Sequence, residues 1–213
     1  MQSFRSLWIA IASATALAAG VPQAAQSLTL ADLDAGGSFS VGALTFSDFE
    51  VLVAGDVSAD LADYPVQLLA DGFRLAGPLS VMFGEEATVL VSYVVEAAAG
   101  IESASLFAPL VAAGSGAGAM VSDSLLDAQG DPLATLLALN VFGDGSDFSD
   151  AAGFAATTKL EVVKVISLTA GVIAASPHVD QRFSVVPEPL TLVMLAGGLT
   201  GLAMVGRRRA MVA

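Results

Sequence analysis

Residues 142 to 150, FGDGSDFSD, hold three aspartates among Gly and Ser. Flexible, oxygen-rich loops suit Ca²⁺, so Asp144, Asp147 and Asp150 are candidate metal ligands. Their spacing matches neither an EF-hand loop nor a nonapeptide β-roll repeat. The stretch therefore predicts a solvated acidic loop, with Ca²⁺ binding as the alternative and no other cofactor.

Groups suited to nucleophilic or acid–base catalysis are few. The chain has no Cys, which excludes a thiol nucleophile, and one His, His178, which follows Pro177. A lone His cannot build a multi-histidine metal site, and no G-x-S-x-G elbow is present. We expect His178 to lie in a surface loop, and we expect a protein that is not an enzyme.

Other carboxylates and glycines have simple explanations. Glu85 and Glu86, like Asp32 and Asp34, are typical of turns, and the glycine-rich residues 114 to 118 lack the Lys of a phosphate-binding loop. A hydrolase with paired carboxylates remains the last alternative, because the separation that matters for such a pair is spatial.

The acidic residues are concentrated in the middle of the chain. Residues 28 to 186 contain twenty acidic and four basic residues, a formal charge of −16. Phosphate backbones would repel such a domain, so nucleic-acid binding is excluded. Solubility is the simplest explanation of the charge, and affinity for divalent cations or basic partners is the alternative.

Two segments, residues 87 to 97 and 159 to 169, are the clearest strands, since apolar and β-branched residues recur in them with a period of two. The apolar face of the first consists of Val89, Val91, Tyr93 and Val95. That of the second consists of Leu160, Val162, Ile166 and Leu168, and Lys164 interrupts it.

Weaker segments of the same kind, separated by Gly, Ser, Asp and Pro, fill the rest of the middle. They predict an all-β chain with a single β-sandwich-like domain over residues 28 to 185. Residues 133 to 143, LATLLALNVFG, fit a short helix equally well, because a long apolar run does not reveal its period.

The two ends of the chain differ from this domain. Residues 1 to 25 have the order of a secretory signal peptide, with Arg5 before an uncharged apolar stretch and then small residues. Residues 190 to 206 carry no charge and would form a helix about 25 Å long, which predicts a transmembrane helix. The basic cluster Arg207, Arg208 and Arg209 follows and is expected to stay cytoplasmic, so the domain faces outward.

Residues 186 to 209 resemble the PEP-CTERM sorting signal of Gram-negative bacteria. Val186, Pro187, Glu188 and Pro189 come first, and the apolar span and the arginine cluster follow in the family's order. The resemblance implies that exosortase, an integral-membrane processing enzyme, recognises these four residues and cleaves near them. It also implies export through the inner membrane to the cell surface or extracellular matrix, and a link to exopolysaccharide and biofilm.

The middle resembles the mature domains of a subgroup of these proteins. The matching segments are LTLADLDAGGSFSVGALTFSDF (28–49), VLVSYVV (89–95), VVKVISLTAG (162–171) and DQRFSVV (180–186). No activity and no catalytic residue come with this resemblance.

We therefore expect an exported, exosortase-sorted surface or matrix protein that is not catalytic. The alternative is a surface module that binds polysaccharide or calcium, and an extracellular hydrolase ranks last. Sugar-stacking aromatics are scarce, since Trp8 lies in the predicted signal peptide and the domain has two tyrosines, Tyr64 and Tyr93.

Mass spectrometry of the protein from its native host tests the sorting signal. We expect a C-terminus near Glu188, because cleavage close to the PEP residues leaves the arginine cluster behind. Protein that keeps Arg207 to Arg209 would instead be tail-anchored and unprocessed. A reporter fused after Ala213 is expected inside the cell, and its detection outside would contradict the predicted orientation.

Overall fold

The computed structural model describes residues 28 to 187, and these are almost entirely β-structure. The strands in chain order are β1 (Leu28–Thr29), β2 (Phe39–Val41), β3 (Leu44–Gly55), β4 (Pro65–Leu68), β5 (Gly72–Ala76), β6 (Ser80–Met82), β7 (Glu86–Phe107), β8 (Val111–Ala113), β9 (Gly118–Asp127), β10 (Pro132–Val141), β11 (Gly145–Asp147), β12 (Ser149–Thr169), β13 (Ile173–Ala175) and β14 (His178–Val185). The same residues include α1 (Leu30–Asp34) and a 3₁₀-helix (Leu61–Asp63).

Several predictions made for the ends of the chain fall on residues that the structure does not describe. These are the signal peptide, Glu188, Pro189, the span 190 to 206 and the cluster Arg207 to Arg209. Between residues 28 and 187, no helix has the length and apolar character needed to cross a membrane.

The all-β prediction is confirmed. In β7 and β12, buried and more exposed side chains alternate as the sequence predicted. In β7 the predicted apolar face, Val89, Val91, Tyr93 and Val95, is buried. Side chains at every second position of a strand point to one face, so an apolar residue at each of them gives one continuous inner face.

Most strands belong to one antiparallel sheet of eleven strands. Its order is β1-β4-β5-β14-β7-β12-β9-β10-β11, and β3 pairs with β2 and with β7. A separate three-stranded sheet has the order β6-β13-β8.

The large sheet folds over on itself because its two longest strands serve both halves. The first part of β7 pairs with β3 and its last part pairs with β14. Between these parts Gly100 has a φ of +92°, a left-handed conformation that favours glycine. Opposite it, the register of β12 against β7 shifts between Gly153 and Lys159. The strands bend at this point, and the arrangement is sandwich-like.

Aromatic rings fill the space between the two halves. Phe46 of β3 lies 5.6 Å from Phe73 of β5 and 5.8 Å from Phe183 of β14, measured between ring centroids. Tyr93 of β7 lies 5.3 Å from Phe73. Burial of each such side chain is worth about 1.5–3 kcal/mol, so these contacts hold the halves together without a disulfide.

The helical interpretation of residues 133 to 143 is wrong. This segment is most of β10, which pairs along its whole length with β9. Leu136 and Ala138 are buried while Thr135 and Leu137 are exposed, an alternation that only an extended strand produces.

Of the four predicted turn carboxylates, Asp32 and Glu85 accept hydrogen bonds from backbone groups three residues away. The other two do not behave as predicted, because Asp34 accepts from a distant strand and Glu86 is the first residue of β7. Asp32 forms a capping box with Thr29 at the start of α1. Asp34 Oδ1 accepts from the Val51 backbone N–H at 2.8 Å, and Glu85 Oε2 accepts from that of Met82 at 2.9 Å.

Substitution of Gly72 tests how closely β5 and β14 pack against each other. A Cβ at this position would lie 1.9 Å from the Gln181 carbonyl oxygen, so G72A should lower the free energy of unfolding by about 3 kcal/mol or more. G118A is the matched control, because a Cβ there meets no atom within 4 Å. Denaturant unfolding compares the two, and equal stabilities would contradict the packing.

Candidate functional site

The three candidate calcium ligands are not gathered into one site. Among residues 28 to 187, no group of three or more His, Cys, Asp or Glu is placed to hold a metal ion. Asp150 accepts from the backbone N–H groups of Leu137 and Ala151, while Asp147 accepts from that of Ser149. The predicted acidic loop is largely extended structure, because Asp147 ends β11 and Asp150 lies in β12. Calcium binding stays a prediction.

An open cleft of about 660 Å³ lies beside the pairing of β3 with β7. Alanines form much of its lining, together with Glu96 and Lys159, whose charged groups are 3.9 Å apart. This cleft offers one carboxylate and one amine that already face each other.

The outer face of the second half of the sheet carries a more organised set of polar groups. One residue from each of the neighbouring strands β4, β5, β14, β7 and β12 lies directly opposite the next. We call these five residues the Phe107 row: Gln67, Arg74, Asp180, Phe107 and Ser149. Residues in direct register project to the same face, and five strands span about 19 Å at the usual spacing.

An ion pair forms the centre of the row. Arg74 donates from Nε to Asp180 Oδ1 at 2.6 Å and from Nη2 to Asp180 Oδ2 at 2.9 Å. A planar guanidinium matches a carboxylate in this two-bond arrangement, which fixes both side chains. The third guanidinium nitrogen, Nη1, takes no part in the pair.

The Asp180 carboxyl is held in its charged form. Burial alone would raise its pKa, but the hydrogen bonds and charge of Arg74, with His178 and Arg182 nearby, lower the pKa below its ordinary value. Asp180 is therefore ionised, although its side chain is only 5% exposed.

Phe107 stands next to this pair and is 43% exposed. The ring of His178, two residues before Asp180 on the same strand face, lies 6.1 Å from it. His178 Nε2 is 3.9 Å from Asp180 Oδ1. The predicted loop position of His178 is wrong, because this residue is the first of β14 and its side chain is half-buried.

This face differs electrically from the rest of the domain. Arg74 and Arg182 are both on it, and each is paired with an aspartate, Asp180 and Asp71. Lys164, by contrast, is buried. The row is thus close to neutral within a strongly acidic domain.

Of the predicted sorting residues, the structure describes Val186 and Pro187. The Val186 backbone N–H donates to the Gly100 carbonyl at 2.9 Å, directly after the end of β14. Pro187 is exposed. The PEP residues therefore begin where the folded domain stops.

The sequence indicated none of the Phe107 row as a site. Its members come from four separate stretches of chain, and only the strand pairing brings them into register. The available signal was weak: a Phe at the end of a segment with strand-like alternation, and Arg74 among the domain's four basic residues.

The Arg74–Asp180 pair predicts a pH-dependent stability. A carboxylate whose folded pKa is lowered adds stability at pH values above its unfolded pKa of about 3.9, and that stability is lost as pH falls through the folded pKa. D180N should be less stable than wild type at neutral pH, and the difference should shrink in acid.

D71N, which breaks the exposed pair with Arg182, is the control and should change stability by about 0–1 kcal/mol. Denaturant unfolding between about pH 7 and pH 3 measures both variants, and a pH-independent difference for D180N would contradict the assignment.

Solved structures similar to this chain include three distant neighbours. No protein-family model and no curated protein matches the chain. TmCBM61 in complex with β-1,4-galactotriose superposes with a TM-score of 0.39 at 12% identity, over 63% of this chain and 88% of that one. The enzymatically active domain of tailspike protein 4 of bacteriophage CBA120 gives 0.31 at 16%, over 68% and 20%. A carbohydrate-binding module of the β-sandwich superfamily gives 0.25 at 10%, over 67% and 56%. These TM-scores are low, so the neighbours carry no inference about what this chain binds or does.

Proposed function

We propose that this chain is an exported, exosortase-sorted surface protein whose β-domain binds matrix polysaccharide through the Phe107 row and catalyses no reaction. The observation that carries the proposal is the row itself: an exposed aromatic ring in register with polar side chains on the outer face of the sheet. This function joins the expected surface role with its polysaccharide-binding alternative.

The chemistry of the row suits a sugar chain. Sugar rings present apolar C–H faces, which pack on aromatic rings, and hydroxyls, which both donate and accept hydrogen bonds. Phe107 provides the apolar surface, Arg74 provides donors, and the exposed Gln67 amide provides both a donor and an acceptor. Asp180 holds the Arg74 guanidinium in place. These groups are held by strands, so little conformational freedom is lost on binding.

Charge and shape favour a neutral chain as ligand. The row is nearly neutral, while the domain as a whole has a formal charge of −16 between residues 28 and 186 and would repel a polyanion. The row is also a long, open surface, which fits an extended polymer better than an enclosed small molecule.

Two observations support the sorting and non-catalytic parts of the proposal. Pro187 is exposed immediately after the last strand, as a processing site must be. The described cleft contains a single carboxylate, Glu96, already paired with Lys159, whereas glycoside hydrolysis commonly uses two.

Binding of exopolysaccharide from the native host tests the proposal. The polymer is immobilised on a biosensor, and the wild-type protein is compared with F107A. We expect F107A to weaken binding about tenfold, a loss of about 1.4 kcal/mol, because the apolar surface under the sugar ring is removed.

F83A is the matched control. Phe83 is a more exposed phenylalanine, at 76%, and it follows β6, outside the Phe107 row. The F83A variant should bind the polysaccharide as tightly as the wild-type protein does. Equal binding by all three proteins would place any polysaccharide contact elsewhere, and no binding by wild type would remove the proposed ligand.

A further inference from the structure

Lys164, the residue that interrupts the apolar face of β12, lies inside the sandwich. Its side chain is 1% exposed and that of Asp123 is fully buried. The two residues are directly opposite each other in the pairing of β12 with β9. Their reactive groups are in contact, with Lys164 Nζ 2.5 Å from Asp123 Oδ1.

A third buried residue orients the amine from the other half of the sheet. Lys164 Nζ donates to Gln181 Oε1 of β14 at 2.8 Å, and Gln181 is fully buried. This contact leaves the amine nitrogen little freedom to turn away from the Asp123 carboxyl group.

The pair is poorly suited to remain ionic. Burial lowers the pKa of Lys164 and raises that of Asp123, while the attraction between the two opposes both shifts. Two charges in an apolar interior carry a large desolvation cost, which often exceeds the attraction that they gain. A neutral amine beside a neutral carboxylic acid avoids that cost, and a neutral amine is a nucleophile.

When the pair is ionic, three buried polar atoms around it lack hydrogen-bond partners in the part of the chain that the structure describes. Asp123 Oδ2, Gln181 Nε2 and Tyr93 Oη are buried and have no hydrogen-bond partner among the described residues. Such atoms are uncommon in native interiors and call for an explanation. Loss of one Asp123 oxygen and of both charges would relieve part of this deficit.

We propose that Lys164 and Asp123 are joined by an amide bond that forms inside the folded domain. The Lys164 nitrogen attacks Asp123 Cγ and a C–N bond forms. One carboxyl oxygen leaves as water, taking the acid proton and one amine proton. Oxidation states do not change, so no oxidant or cofactor is required.

Neighbouring groups fit this step. Gln181 Oε1 holds the attacking nitrogen, and the buried Tyr93 hydroxyl is a donor without a hydrogen-bond partner among the described residues. Tyr93 stays protonated because burial, and then the negative charge of Asp123, raise its pKa well above the ordinary value. The surrounding apolar core excludes the water that would reverse the reaction.

The bond would give this cysteine-free domain a covalent brace. It would close a loop between residues 41 positions apart and tie β9 to β12. Cross-links of this kind stabilise a fold mainly by restricting the unfolded chain. The inference concerns the interior of the domain and is independent of the proposed polysaccharide binding.

Trypsin digestion of the denatured protein from its native host tests the bond directly. The sites flanking the pair are Arg74, Lys159, Lys164 and Arg182, none of which precedes a Pro. An unlinked chain releases Leu75–Lys159, Leu160–Lys164 and Val165–Arg182 as separate peptides. A linked chain cannot be cut after Lys164.

The expected product is Leu75–Lys159 joined to an uncut Leu160–Arg182, lighter than the sum of the two by one water molecule. Mass spectrometry identifies it regardless of how the chain ends are processed. Free Leu160–Lys164 in full yield from the wild-type protein would overturn the proposal.

K164R and D123A each remove one reacting group, so both variants should yield only separate peptides, whether or not they fold. A joined product in either variant would overturn the assignment to these two residues.

Discussion

The bend shared by β7 and β12 is the constraint on which the rest of this domain depends. Each strand runs through both halves of the large sheet, so the inner faces oppose each other only if the strands turn between them. Gly100 supplies the left-handed conformation at the turn in β7. The aromatic core then closes between strands that are far apart in sequence, which compensates for the absence of disulfides.

The same folded sheet places two Lys/Arg–Asp pairs on opposite faces, and their chemistry diverges for a physical reason. On the outer face Arg74 is partly solvated, so its hydrogen bonds outweigh the burial of Asp180 and lower the pKa of that carboxyl. On the inner face both partners are dry, so burial dominates and the pKa of Asp123 rises. Solvation alone separates a stable surface ion pair from a pair suited to condensation.

The two faces also divide the proposed roles of the molecule. On the inner face, the proposed amide bond would stabilise a domain that has no Cys and therefore no disulfide. On the outer face, the Phe107 row combines an aromatic ring with polar groups and has almost no net charge, and this is the surface proposed to bind polysaccharide. The chain leaves the fold at Val186, which is held to Gly100, the residue at the bend. The first of the predicted sorting residues, Val186, therefore follows directly after the last strand.

Local patterns in the chain were sufficient for the class of fold. Alternation with a period of two in β7 and β12 identified one face of each strand, since alternate side chains of a strand share a face. The same local logic identified Asp32 as a carboxylate that bonds to a nearby backbone group. It failed for residues 133 to 143, because an apolar run is compatible with both helix and strand until β9 is available as a pairing partner.

The predictions of a signal peptide and a PEP-CTERM segment also come from order and composition alone, and apart from Val186 and Pro187 they fall on residues that the structure does not describe. Tertiary structure decided everything that depends on register between distant strands. Lys164 looked like an interruption of an apolar face until β9 placed Asp123 opposite it, and His178 looked like a loop residue until β14 placed it beside Phe107. The physical reason is that strand pairing brings together residues far apart in the chain, such as Arg74 and Asp180, which are 106 positions apart. No local pattern encodes which residues will face each other.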